Sequence, residues 1–462
     1  MLTLHPQSGK LRHANNLVPT RAGGLASRPG AVQVVSGDIA SAVSWGNRLL
    51  MEKLGRLRLW DGLTETDIAP AGRGLQATAF QALTSEAQRE DRLYVADGVR
   101  PLWYVARRAA VYARYGIANT VLDAGGVPYA LAPAQAVATW RGRLWTVDGG
   151  NRAQHCQFDA PEEWDPLWVV ECQGPRADRI VALEADDKRL LAGLKNSVWE
   201  ITGDSQYNWQ RDPIADYGVA GPNAMVSDTQ LLFWISSVGL HLAGRSEPLS
   251  EDLREAFTSP PYPAEVVIDG RRRLLLIFVS GRLFVMHLEK PGLFGEITGQ
   301  QVHGLLQTDD YTGWYGGDGV WLLGARDEPD HYLDGTRRNV ISLYDTWEDI
   351  PNPNGGGRAH LPCTIAKLNG SSRADAVYTV IAKDVEGEDT YSASVSLADE
   401  EPEVWTDDIA GLHGEPWPTA AVRREFPVQL AGSSFRHQLE APCHMEVLAF
   451  DPQYKFGAKE DE

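Results

Sequence analysis

A short pattern recurs about every 40–50 residues along the first three-quarters of the chain, which is the period of a β-propeller blade. Each copy opens on Arg-Leu or a similar pair, alternates apolar and polar residues around an aromatic, and stops at Asp-Gly, Asn-Ser or Ser-Gly. Arg56-Leu57-Arg58-Leu59-Trp60-Asp61-Gly62, Arg92-Leu93-Tyr94-Val95-Ala96-Asp97-Gly98 and Arg143-Leu144-Trp145-Thr146-Val147-Asp148-Gly149 are the clearest copies. Looser ones are Arg189 to Gly193 with Val198-Trp199-Glu200-Ile201, Leu231 to Ile235, Arg273 to Gly281 with Arg282 to Met286, and Asp318 to Leu323. Alternation with period two puts one side of a strand into a core. Asp-Gly supplies the positive φ of a tight hairpin. Aromatics fill the wedge between radially arranged sheets.

These features predict an all-β chain with a six- or seven-bladed β-propeller. The blades lie between about Ala31 and Tyr344. Fifteen tryptophans against five methionines, with 45 glycines and 27 prolines, favour strands and tight turns over helices. Two short helices are expected as insertions: Ser250 to Phe257, with Ser250 as its N-cap, and Ala109 to Tyr115. The Pro351 to Gly357 run has the composition of a linker. Beyond it the strands lengthen: Cys363–Leu368, Ala376–Lys383, Thr390–Leu397, Phe426–Leu430 and Cys443–Phe450. The expected organisation is an extended N-terminal arm over 1–30, the propeller over 31–345, and a small β-sandwich-like region with an acidic tail over 346–462. The arm can close the ring of blades or reach a neighbouring subunit.

The formal net charge of −19 argues against a surface that grips nucleic acid, since phosphate binding needs a basic footprint. Cys156, Cys172, Cys363 and Cys443 are too sparse for a disulfide scaffold and are expected as free thiols. The N-terminal residues lack a signal-peptide core, and no apolar run approaches the ~20 residues of a membrane span.

A search for chemistry finds no nucleophile elbow, P-loop, H-E-x-x-H or dinucleotide fingerprint. His155 and Cys156 with Cys172 form the one metal-like cluster, and their spacing fits no common zinc site. Glu162-Glu163 with Asp165, Asp309-Asp310, and Asp327-Glu328 with Asp330 are possible carboxylate pairs, expected as solvated charge. Ser396 to Glu401 with Trp405 lacks the glycine of a sialidase-type turn, and Thr308-Asp309-Asp310 with Gly313-Trp314 has the wrong spacing. Most tryptophans fall in strand registers and are expected in the core. Trp164, Trp168, Trp405 and Trp417 stand near proline and acids and are the better candidates for a binding surface. No catalytic, cofactor-binding or metal-ligating residue is assigned, no cofactor is expected, and the chain is not expected to be an enzyme.

Several ordered segments resemble a known family. Ser27-Arg28-Pro29-Gly30 closes an early arm, Trp140 to Trp145 carries the Arg-Gly-Arg of a characteristic strand, and His155 to Trp164 contains Asp159-Ala160-Pro161-Glu162. Ser197 to Gly203, Tyr217-Gly218-Val219-Ala220-Gly221 and Leu361 to Lys383 follow in order. Together they resemble the packaged-DNA stabilisation and tail-nozzle propeller proteins of short-tailed bacteriophages. The resemblance implies a structural virion protein of the neck or tail, assembled in the bacterial host cytoplasm. Its partners would be identical subunits in a ring, commonly six, a portal or adaptor protein above, and a tail-tip or fibre protein below. Double-stranded DNA would pass without specific binding, helped by an acidic lumen, and no membrane is involved. The alternatives are a tail hub or baseplate propeller of a long-tailed phage or phage-like particle, and a carbohydrate-binding or glycan-cleaving propeller.

Overall fold

The computed structural model describes the chain from residue 10 to residue 456 with interruptions, the longer ones at 20–24, 71–75, 84–88, 251–262, 324–332, 350–358 and 397–421. The described residues form strands and turns and no helix. They fall into two compact units. One comprises Gln33–Leu283 and Gly299–Ala325, the other Met1–Val32, Phe284–Thr298 and Arg326–Glu462.

The first unit is a succession of antiparallel sheets, most of them four-stranded, and is propeller-like. The first sheet is Ile39–Trp45, Arg48–Lys53, Arg56–Trp60 and Glu65–Pro70. The second is Gln76–Leu83, Arg89–Ala96, Trp103–Arg108 and Val111–Gly116. The third is Ala136–Trp140, Arg143–Val147, Arg152–Gln157 and Ala160–Glu171. The fourth is Ile180–Ala185, Leu190–Leu194, Val198–Thr202 and Gln210–Ala215. Met225–Ser227, Leu232–Ser236 and Gly239–Leu242 make a fifth sheet, and Ala264–Asp269 pairs with Leu274–Val279 in a sixth. The seventh is Val302–Gln307, Thr312–Gly316 and Gly319–Leu323, and Ala31–Ser36, from upstream of the first sheet, is its fourth strand.

The opening strands of consecutive sheets pack on one another from the first sheet to the seventh, and the seventh packs back on the first. The sequence periodicity explains this. Successive residues of a strand point to opposite faces, so each sheet feeds two wedges. Leu93 and Val95 fill the wedge shared with Trp45, Leu57 and Leu59 of the first sheet. Tyr94 and Ala96 fill the one shared with Leu144 and Trp164 of the third. Trp145 and Val147 in turn meet Leu190, Ala192 and Ile201 of the fourth, and Leu49 and Met51 meet Leu306 and Tyr315 of the seventh. Each large apolar side chain buried in this way contributes about 1.5–3 kcal/mol.

The Asp-Gly turns do more than reverse the chain. Gly98 takes φ of 72°, while the Asp97 carboxylate accepts from the Val99 and Arg100 amides and from the Trp103 indole. One carboxylate therefore caps the turn and ties it to a core tryptophan. The repeat does not keep one place in the sheet. It forms the third strand of the first sheet at Arg56–Trp60, but the second strand of the second and third sheets at Arg89–Ala96 and Arg143–Val147.

The helix expected over Ala109 to Tyr115 is instead the strand Val111–Gly116. It pairs with Trp103–Arg108 in a register that sets Tyr115 opposite Tyr104, and the two rings stack at 5.4 Å. Pairing with a neighbouring strand outweighs a weak helical preference in a segment rich in β-branched and aromatic residues. The Ser250 helix falls, after Ser250 itself, outside the described residues.

In the second unit, Lys10–Asn15 pairs with Ser342–Asp349, which pairs with Ser434–Ala441, followed by Asp375–Lys383 and Glu388–Ser396. Leu25–Ser27 pairs with Leu17–Pro19 and with Met445–Phe456, which pairs with Ala359–Gly370. The strands from residues 10–27 are thus built into a sheet structure with the C-terminal strands. The Pro351–Gly357 run lies outside the described residues.

Candidate functional site

The opening strands of the first unit carry polar side chains where the alternation would allow apolar ones. Gln76, on the second sheet, makes three hydrogen bonds. Its Nε2 donates to Leu183 O on the fourth sheet and to Pro222 O, both at 3.1 Å, while its Oε1 accepts from Val137 N on the third. Thr78 and Thr139 bridge the second and third sheets at 3.0 Å. Hydrogen bonds of this kind fix the sheets' relative positions in a way apolar packing alone does not.

Two carboxylates flank the short strand Met225–Ser227. Glu184 accepts from the Ser227 amide at 3.4 Å. Burial, with Asp186 nearby, pushes its carboxyl up to about 8. Glu265 accepts from Asn223 Nδ2, the Leu305 amide and the Tyr315 hydroxyl, joining the sixth sheet to the seventh and to the segment before Met225. Burial raises Glu265 to about 7, and its three donors oppose the rise. Both residues are half-buried. Sequence reasoning missed them. The signal was an acid set among apolar residues of an opening strand, Glu184 in Ile180–Ala185 and Glu265 in Ala264–Asp269.

A second polar group joins the second and third sheets. Arg92, 5% exposed, bonds Glu90 at 2.6 Å, Glu162 at 2.9 Å and the Tyr94 hydroxyl at 3.1 Å. Arg108 adds two bonds to Glu90, and Glu162 also accepts from the Ala118 amide. Glu162, expected as solvated charge, is therefore a bridge between sheets. Asp165 caps the Leu167 amide, and Asp310 accepts from Asn47 Nδ2. Asp327, Glu328 and Asp330 lie outside the described residues.

The metal-like cluster is a core element. The Nδ1 of His155 donates to Cys156 O at 2.9 Å and its Nε2 accepts from the Trp209 indole at 3.1 Å, so the ring is held neutral. Burial lowers it to about 4. Cys156 and Cys172 are buried free thiols, each pushed up to about 12 by burial. Among the described residues no three His, Cys, Asp or Glu side chains gather as a metal group would require. No helix among them is long and apolar enough to cross a membrane. Of the four candidate surface tryptophans, Trp164 is fully buried in the wedge between the second and third sheets, with its indole on Pro161 O. Its register opposite Cys156 points it inward. Trp168 is half-buried and stacks on His155, and Trp405 and Trp417 lie outside the described residues.

No family model matches the chain, and no curated protein matches it. Solved structures do. The computationally designed Ika8 protein is 11% identical and covers 64% of this chain and 99% of its own, with a TM-score of 0.37. The extracellular domain of the putative one component system BT4673 from B. thetaiotaomicron is 12% identical, covering 80% of this chain and 48% of its own, with a TM-score of 0.41. The extracellular domain of the putative hybrid two component system BT4673 of that organism, also 12% identical, covers 69% and 46%, with a TM-score of 0.41. The chain spans about half the length of these last two.

Proposed function

We propose that this chain is a structural ring protein of a phage neck or tail, with a seven-bladed propeller as its rigid module. It sits below the portal or adaptor, retains packaged DNA, conducts it on ejection, and carries tail-tip or fibre proteins. One observation supports the rigid role above others. The opening strands follow one another in a closed cycle of seven sheets, and Gln76, Glu265 and Glu184 tie those strands together by hydrogen bonds. The fourth strand of the seventh sheet comes from upstream of the first sheet, so opening the cycle requires stripping a strand. The ordered family-like segments point the rigid module toward a virion.

Gln76 reaches from the second sheet to the fourth, which leaves no duplex-sized passage through the middle of the propeller. In this reading DNA passes through the middle of a ring of subunits, and the charge of −19 keeps it from adhering. Electron microscopy of the purified protein tests the proposal. Closed rings of identical subunits, commonly six, with an opening wider than a DNA duplex are expected. A chain that stays monomeric and is absent from purified particles would overturn it.

A further inference from the structure

The repeat supplies its own control. Arg56, Arg92 and Arg189 each open a copy, and each meets carboxylates: Asp67 for Arg56, Glu90 and Glu162 for Arg92, Asp186 and Glu200 for Arg189. Arg143 opens another copy and meets none. Its side chain is 7% exposed, its Nε is sealed from solvent, and its guanidinium has no hydrogen-bond or ion-pair partner among the described residues. Rings surround it instead. Its central carbon lies 5.4 Å over Phe158 and 5.9 Å over Trp209. Trp209 packs at 5.3 Å on both Trp140 and Trp145, whose buried indole N–H groups also lack acceptors.

The backbone builds this frame. Arg141 and Gly142 form the turn before Arg143 with φ of 48° and 65°. A Cβ at position 142 would come within 2.5 Å of the Phe158 ring, so glycine is what lets that ring lie over the turn. The Asp159 amide holds the Phe158 loop to Gly142 O at 2.8 Å.

A guanidinium held by ring faces keeps its donors in its own plane, and with Nε sealed the four Nη–H donors are left for another partner. The planar fork matches one carboxylate bidentately. Phe158 is 56% exposed and Trp209 is half-buried. These rings offer flat apolar faces beside the cation, which suit the C–H face of a pyranose. A net charge of −19 repels polyanions at long range, which favours a single acidic residue over a polyacidic chain. We propose that Arg143, framed by Phe158 and Trp209, binds the carboxylate of an acidic sugar, a uronic acid, whose ring rests on these aromatic faces. This stands whether or not the chain assembles into a ring.

Titration of the full chain with glucuronate, followed by tryptophan fluorescence, tests the site. Glucose, inorganic phosphate and N-acetylglutamate α-amide serve as comparison ligands. Saturable binding of glucuronate is expected at millimolar concentration or below, and none of glucose. Arg143→Met should weaken glucuronate about tenfold or more. Phe158→Ala, which removes an exposed ring and leaves the cation, should weaken it less. Should Arg143→Met fail to fold, Phe158→Ala decides. Absence of saturable glucuronate binding overturns the proposal, as does affinity unchanged by both substitutions. Tighter binding of the amino-acid carboxylate would give the site to an acidic peptide, and tighter binding of phosphate to a phosphoryl group; either result also overturns it.

Discussion

Arg92 and Arg143 stand at the same place in the repeat, on the second strands of adjacent sheets, five residues before an Asp-Gly. They are buried to nearly the same degree, 5% and 7% exposed. Arg92 sits among Glu90, Glu162 and Tyr94, with the Tyr104 ring 4.3 Å away. Arg143 has rings and, among the described residues, no anion. Equal burial with unequal pairing separates two uses of one residue type. A buried charge shared between two carboxylates holds sheets together. A buried charge with no carboxylate beside it costs stability unless something outside the fold pairs with it.

The largest expected effect breaks the comparison directly. Arg92→Met leaves Glu90 and Glu162 without their shared cation and should cost about 3 kcal/mol or more. Arg143→Met removes a charge that has no partner and keeps an apolar stem in the wedge. It should change stability by no more than about 1 kcal/mol, in either direction. Paired urea denaturation of the two variants measures the difference. Equal losses would mean that Arg143 is as structural as Arg92, and the distinction between them would fall.

Much of this architecture was legible in the sequence because it rests on local signals. Period-two alternation and Asp-Gly locate the strands and turns around Leu93, Leu144 and Val320 without any knowledge of their pairing. What failed depended on partners distant in the chain. Val111 to Tyr115 carries β-branched and aromatic residues, but the pairing that makes it a strand, with Tyr104 opposite Tyr115, lies outside the segment. Glu162 looked solvated because Arg92, which binds it, is 70 residues away. Trp164 looked exposed beside Pro161 and its acids, yet its register turns it inward. The candidate site was legible only in half. The Arg-Leu repeat marked Arg143 as one of a series. Its lack of a carboxylate is a fact of packing between sheets, which no residue near it in sequence records.

A smaller effect comes from the carboxylates of the opening strands, where pairing is also unequal. Glu265 has three donors and rises to about 7; Glu184 has one, with Asp186 beside it, and rises to about 8. Unfolded, Glu184 gives up its proton near the ordinary value of 4.5; folded, it holds the proton to about 8. Between these values the native state binds the extra proton, so stability falls as pH rises through the window. Glu184→Gln keeps an acceptor for the Ser227 amide and cannot ionise. It should therefore gain stability over the parent at pH 9 and little at pH 5. Thermal melts at the two pH values measure this, and an equal effect at both would refute the buried-proton account of Glu184.

The smallest effect is the most specific to Arg143. Burial is the main reason that the His155 imidazole titrates near 4, but the Arg143 charge lowers it further. Unfolded, the ring takes a proton near 6.5; between that value and about 4 the unfolded chain holds the extra proton, so stability declines as pH drops through this range. Removing the Arg143 charge takes away one of the two causes. Arg143→Met should therefore raise the His155 value slightly and move the acid limb of stability to lower occupancy of the unfolded state. A carboxylate bound at Arg143 should act in the same direction, because it offsets the same charge. NMR titration of the His155 ring in the parent, in the variant and with saturating glucuronate reads all three cases. A shift in the variant without one on glucuronate would place the sugar's carboxylate away from the guanidinium, and the two arginines would again differ in their packing alone.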